Sequence, residues 1–118
     1  MNCADCLKEW RTERFGDAIE NWLVQNENDL PLQDFCDQGG GPDPEGLPHF
    51  IFRDAKEQQG EIVVNSSVFF KESIPSACKD ANITEDREGT LIIRIDKSTG
   101  TAEVETDPDS MRRNLENY

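Results

Sequence analysis

An α+β fold is predicted for residues 1–118 as a single domain, with about four mainly antiparallel strands, an N-terminal amphipathic helix, a short middle helix and a short C-terminal helix. Three observations carry this. Apolar residues between Cys6 and Gln25 recur at spacings of three and four. Short runs rich in Ile, Val and Phe follow at 47–53, 61–65 and 90–106. The last of these is interrupted by Lys97-Ser98-Thr99-Gly100, a glycine-bearing turn between two alternating segments.

Taken in order, the first element is a helix from Cys6 to Gln25, with Leu7, Trp10, Ala18, Ile19, Trp22 and Leu23 on its apolar side and Phe15 alongside. Asp5 is its candidate N-cap, and Gly16 costs it about 1 kcal/mol of propensity relative to alanine unless close packing or a bend requires the glycine. Residues 26–48 read as a long acidic connection in which Leu30, Leu32 and Phe35 pin one turn to the core. The glycine- and proline-rich stretch 37–46 is expected to be an exposed flexible loop.

Leu47–Arg53 and Glu61–Asn65 are expected as antiparallel strands joined by the polar segment Asp54–Gly60. Ser66-Ser67 then resembles a capping pair, so Val68–Ile74 is expected as the short middle helix, with a further turn from Pro75 to Ala81. The hairpin is the clearest signal. Leu91, Ile93 and Ile95 share one face, and Ala102, Val104 and Thr106 match them, which leaves Glu103 and Glu105 on the other. Asp107-Pro108-Asp109 opens the expected C-terminal helix, Ser110–Tyr118.

The chain carries 12 Lys and Arg against 25 Asp and Glu, a formal charge of −13. That charge runs through all of it, at −2 over 1–25, −6 over 26–60 and −5 over 61–118, rather than in a tail. Such a field repels phosphate backbones and anionic lipid and speeds encounter with basic proteins. Direct nucleic-acid and membrane binding are therefore disfavoured. With no long apolar run and no basic start ahead of one, a cytoplasmic protein is expected, and Asn65-Ser66-Ser67 and Asn82-Ile83-Thr84 read as chance glycosylation matches.

Four cysteines are the first chemical candidates. Cys3 and Cys6 have the spacing of a chelating or redox pair, and Cys36 and Cys78 would have to complete a zinc site from far along the chain. Thiols in a reducing cytosol are the favoured reading, with no cofactor. His49, the single histidine, begins a strand and has no Cys or Ser partner in any recognisable pattern. Gly39-Gly40-Gly41 lacks the lysine and spacing of a phosphate loop, Asp96-x-Ser98-x-Gly100 lacks the closing glutamate of a calcium loop, and 25 acids make any carboxylate pair unremarkable.

What remains is the acidic surface: Asp29, Asp34, Asp37, Asp43 and Glu45 in the long connection, and Glu103 and Glu105 on the hairpin. A small acidic domain without a catalytic set is similar, as a functional type, to bacterial toxin-neutralising immunity proteins. That implies a non-enzymatic inhibitor whose partner is a basic toxin, a nuclease or another nucleic-acid-modifying enzyme. The rivals are a small Cys-dependent zinc or redox domain and an acidic adaptor that mimics nucleic acid.

Overall fold

The computed structural model describes residues 1–36, 40–43, 46–74, 83–107 and 109. Its frame is an antiparallel meander of four strands, β2 (His49–Gln58), β3 (Glu61–Ile74), β4 (Ile83–Asp96) and β5 (Ala102–Thr106). A two-residue strand, β1 (Gly41–Pro42), continues the β2 edge by pairing with Glu72 and Ser73 at the far end of β3. Two helices precede the sheet, α1 (Ala4–Leu7) and α2 (Phe15–Gln25), followed by 3₁₀ turns at Glu27–Asp29 and Leu32–Phe35. No helix among the described residues is long and apolar enough to cross a membrane.

The β4–β5 hairpin forms with the expected inward faces, and its register sets Ile95 opposite Ala102, Ile93 opposite Val104 and Leu91 opposite Thr106. Its turn is closed by Asp96, whose Oδ1 accepts from the Ser98 backbone at 2.8 Å and the Ser98 hydroxyl at 2.6 Å. Gly100 occupies the left-handed region at φ +77° and donates its N–H to the Asp96 carbonyl at 2.8 Å.

The middle helix is not formed. Val68–Ile74 belongs to β3, where Ile62, Val64, Ser66, Val68, Phe70 and Glu72 are buried at alternate positions. Fourteen successive residues of β3 pair with β4, so the backbone groups of 68–74 are satisfied across strands rather than along a helix. Ser66 therefore caps nothing, and its hydroxyl donates to the Ile51 carbonyl at 3.1 Å. Asp54–Gly60 is likewise strand for most of its length. The turn shrinks to Gln59 and Gly60, at φ +50° and +80°, the signature of a tight two-residue hairpin. Polar residues are tolerated there because β2 is an edge strand with one face in solvent.

The expected helix Cys6–Gln25 is split. Thr12 draws the chain out of helical geometry, its hydroxyl donating to the Glu9 carbonyl at 2.7 Å and accepting the Arg14 N–H at 3.2 Å, with Arg11 at φ +70° beside it. From Phe15 onward the helix holds, and Phe15, Ile19, Trp22 and Leu23 form its buried stripe. Gly16 is a close-packing glycine, since a Cβ there would lie 3.0 Å from the Phe52 ring.

α2 and the 3₁₀ turns cover one face of the sheet, and Leu30, Leu32 and Phe35 join the core as expected. Phe35 sits against Gly89, where any Cβ would be 2.2 Å from the ring. The other face carries no helix among the described residues. Gly40 to Asp43 depart from the expected free loop: the Gly40 N–H donates to the buried Glu72 at 3.0 Å, and the Asp43 N–H to the Lys71 carbonyl at 2.8 Å. Glu72 in turn receives Arg87 Nε at 2.8 Å, both side chains wholly inside, and Arg87 reaches Glu85 at 3.0 Å. Of the expected C-terminal helix, Ser110–Tyr118 lies outside the described residues, as does the expected turn Pro75–Ala81.

Candidate functional site

The acids chosen from the sequence do not form one patch. Asp29 is exposed on the first 3₁₀ turn and Asp34 on the second, where it accepts from the Thr106 hydroxyl at 3.3 Å on the helix-covered side of the sheet. Asp43 is half-buried just after β1. Glu103 and Glu105 project from the opposite, open face. There Glu105 is bound by Arg94 at 3.1 Å, and Arg94 also meets Glu61 at 3.2 Å. These contacts, Glu105 first, raise the basicity of Arg94. Asp37 and Glu45 lie outside the described residues.

The helix-covered side also holds acids beyond Asp29, Asp34 and Asp43. Glu27 opens the first 3₁₀ turn, Asp17 is exposed on α2, and Glu20 accepts the Phe52 N–H at 2.8 Å where β2 bulges. The signal was available: no lysine or arginine occurs between Arg14 and Arg53, a stretch containing eight acids. α2, both 3₁₀ turns and β1 are all drawn from it, so these elements bring no lysine or arginine of their own. Asp17, Glu20, Glu27, Asp29 and Asp34 join no ion pair among the described residues, whereas Glu9, Glu57, Glu61, Asp86 and Glu105 outside the stretch all do.

A pocket of about 370 Å³ opens within that flank. Buried Leu30, Leu32 and Phe70 contribute its apolar walls, Glu27 and Asp43 supply carboxylates, and Leu47 stands at its edge 82% exposed. Lys71 also borders it, but its ammonium is held by Asp86 at 3.1 Å. The chemistry suits a long basic side chain, whose methylene stem covers leucine while its charged head meets carboxylate.

Cys3 and Cys6 occupy a second location. Cys3 is the N-cap of α1, its N–H donating to the Gly100 carbonyl at 2.7 Å, and the Cys6 thiol faces the Ala18 carbonyl at 3.6 Å. The neighbouring Cys6 together with burial pushes the Cys3 thiol up, while Cys3 draws the Cys6 thiol down. Cys36 lies elsewhere, half-buried beside the Leu32 carbonyl at 3.8 Å, and Cys78 is outside the described residues. Among the described residues no three His, Cys, Asp or Glu side chains converge as a metal-holding group. His49 is exposed at the start of β2, opposite Phe69.

No protein-family model matches the chain, and neither a curated protein nor a solved structure matches it.

Proposed function

We propose that this chain is an inhibitory binding protein of the immunity type, which neutralises a basic toxin, a nuclease or another nucleic-acid-modifying enzyme, by covering its active site. The observation that carries this reading is the run from α2 through the two 3₁₀ turns, which presents Asp17, Glu20, Glu27, Asp29 and Asp34 without counter-ions among the described residues, with Glu27 at the rim of a pocket with leucine walls. Carboxylates already paired gain little from a partner; unpaired ones are available to meet arginine or lysine. An enzyme that grips phosphates must itself offer such cations, and exposed Leu47 beside the leucine walls of the pocket provides the apolar contact around which charge pairs become strong. Glu103 and Glu105 contribute to the overall field from the far face rather than to the contact.

Capture of a basic partner from the source cell, followed by binding kinetics, tests this. Charge reversal at Asp29 and Asp34 together is expected to slow association by about tenfold at low salt, and raising the salt should slow the native pair in the same way. Reversal at Glu103 and Glu105 is expected to change it by no more than about twofold. A partner whose association is insensitive to both the flank reversal and salt overturns the proposal.

A further inference from the structure

We propose that Cys3 and Cys6 form a dithiol that hydrogen peroxide closes to a Cys3–Cys6 disulfide, a modification site independent of the acidic flank. The two residues lie one helical turn apart, the Cys6 N–H donating to the Cys3 carbonyl at 3.1 Å, within the Cα separation that a disulfide spans, and both line the same pocket. Their backbone is braced rather than frayed. The Cys3 N–H is held by Gly100, the Met1 ammonium donates to the Ala102 carbonyl at 3.2 Å, and the Ala102 N–H returns a bond to Met1 at 2.6 Å. Each thiol is almost wholly shielded by protein, at 1% and 2% exposure, yet both border a pocket of about 620 Å³ between α1 and α2, lined also by Asp5, Asn21, Trp22 and Gln25. A molecule as small as a peroxide fits such a space.

The surroundings divide the roles. The neighbouring Cys6 and burial push the Cys3 thiol up, while Cys3 draws the Cys6 thiol down, so Cys6 is the sulfur that ionises and Cys3 the one that keeps its proton. The Cys6 thiolate attacks one peroxide oxygen, the O–O bond breaks, and the departing hydroxide takes a proton to become water. Cys6 is left as the sulfenic acid. The Cys3 sulfur then attacks Cys6, the S–O bond breaks, and the hydroxyl leaves with the Cys3 proton as a second water. Two thiols have lost two electrons, and one peroxide has become two waters.

The test is peroxide titration of the reduced full chain, with free thiols blocked at each time point and cysteine peptides read by mass spectrometry. Exposure alone would make half-buried Cys36 react first; pairing makes the linked Cys3–Cys6 peptide accumulate before Cys36 gains oxygen, and dithiothreitol reverses it. In Cys3→Ser the reaction should stop at a Cys6 sulfenic acid trapped by dimedone, with peroxide consumed within about twofold of the native rate. Cys6→Ser should leave Cys3 unoxidised over the same period. Oxidation of Cys36 or Cys78 ahead of the pair, sulfinic acid at Cys6 without a linked peptide, or stoichiometric zinc blocking both thiols would each overturn the assignment. Because the native chain alone can give any of these results, a variant that fails to fold does not rescue it.

Discussion

Arg87 and Glu72 place a full ion pair inside the protein, where desolvation is expensive unless every lone pair and proton is occupied. Here Glu72 is met by both Arg87 and the Gly40 N–H, while Arg87 also reaches Glu85 and the Asp86 carbonyl at 3.1 Å. Glu72→Gln removes the buried counter-charge and leaves the guanidinium with Glu85, which is partly in solvent. A loss of about 3 kcal/mol is expected, measured by urea unfolding. Glu72→Leu combined with Arg87→Met should recover most of it, because no charge is then left inside. A single-variant loss within experimental error would show that the network is not sealed from water. Neither this pair nor the seat of Phe35 on Gly89 could be found from the sequence, since each joins residues whose adjacency depends on strand register.

At the scale of elements, β3 is decided by its neighbours. Val68-Phe69-Phe70-Lys71-Glu72-Ser73-Ile74 has apolar residues that fit either period, and only the unbroken pairing with β4 makes it a strand. The β4–β5 hairpin was legible because its signals agree: alternation on both sides, a glycine where φ is positive, and Asp96 with an accepting side chain at the turn. The Ser98 hydroxyl and N–H, in that order, hold the Asp96 carboxyl below its ordinary value. A carboxylate with a depressed folded pKa stabilises the protein above its unfolded pKa, and that contribution disappears as pH falls through the folded value. Ser98→Ala should therefore lower the melting temperature at neutral pH and narrow the difference from native protein as the pH drops below about 4. Equal destabilisation at pH 7 and pH 2 would assign the serine's effect to turn propensity instead.

For the molecule as a whole, a charge of −13 sets the terms. Most paired acids lie on the sheet and its turns, so the acids of α2 and the 3₁₀ turns, unpaired among the described residues, bear repulsion that no ion pair offsets. Monovalent salt at low concentration should raise the melting temperature by screening that repulsion, a few degrees between roughly 10 and 150 mM. A melting temperature that fell with added salt would mean that the ion pairs outweigh the repulsion. The same surface that destabilises the free protein is the one proposed to meet a basic partner, and binding would relieve both costs together.

By itself the sequence determined the α+β class, the hairpin with its inward and outward faces, the buried stripe of α2 and the excess of acid, because each is written in local order or in composition. Tertiary structure decided which helix-like segment became a strand, where the first helix breaks, and that Asp34 and Glu105 stand on opposite faces. It also decided that Cys36 lies apart from the pocket that Cys3 and Cys6 line. The physical reason for all but the helix break, which Thr12 sets locally, is the same: strand pairing, register and the covering of one sheet face are satisfied between distant residues, so no window along the chain contains the partner that selects the outcome.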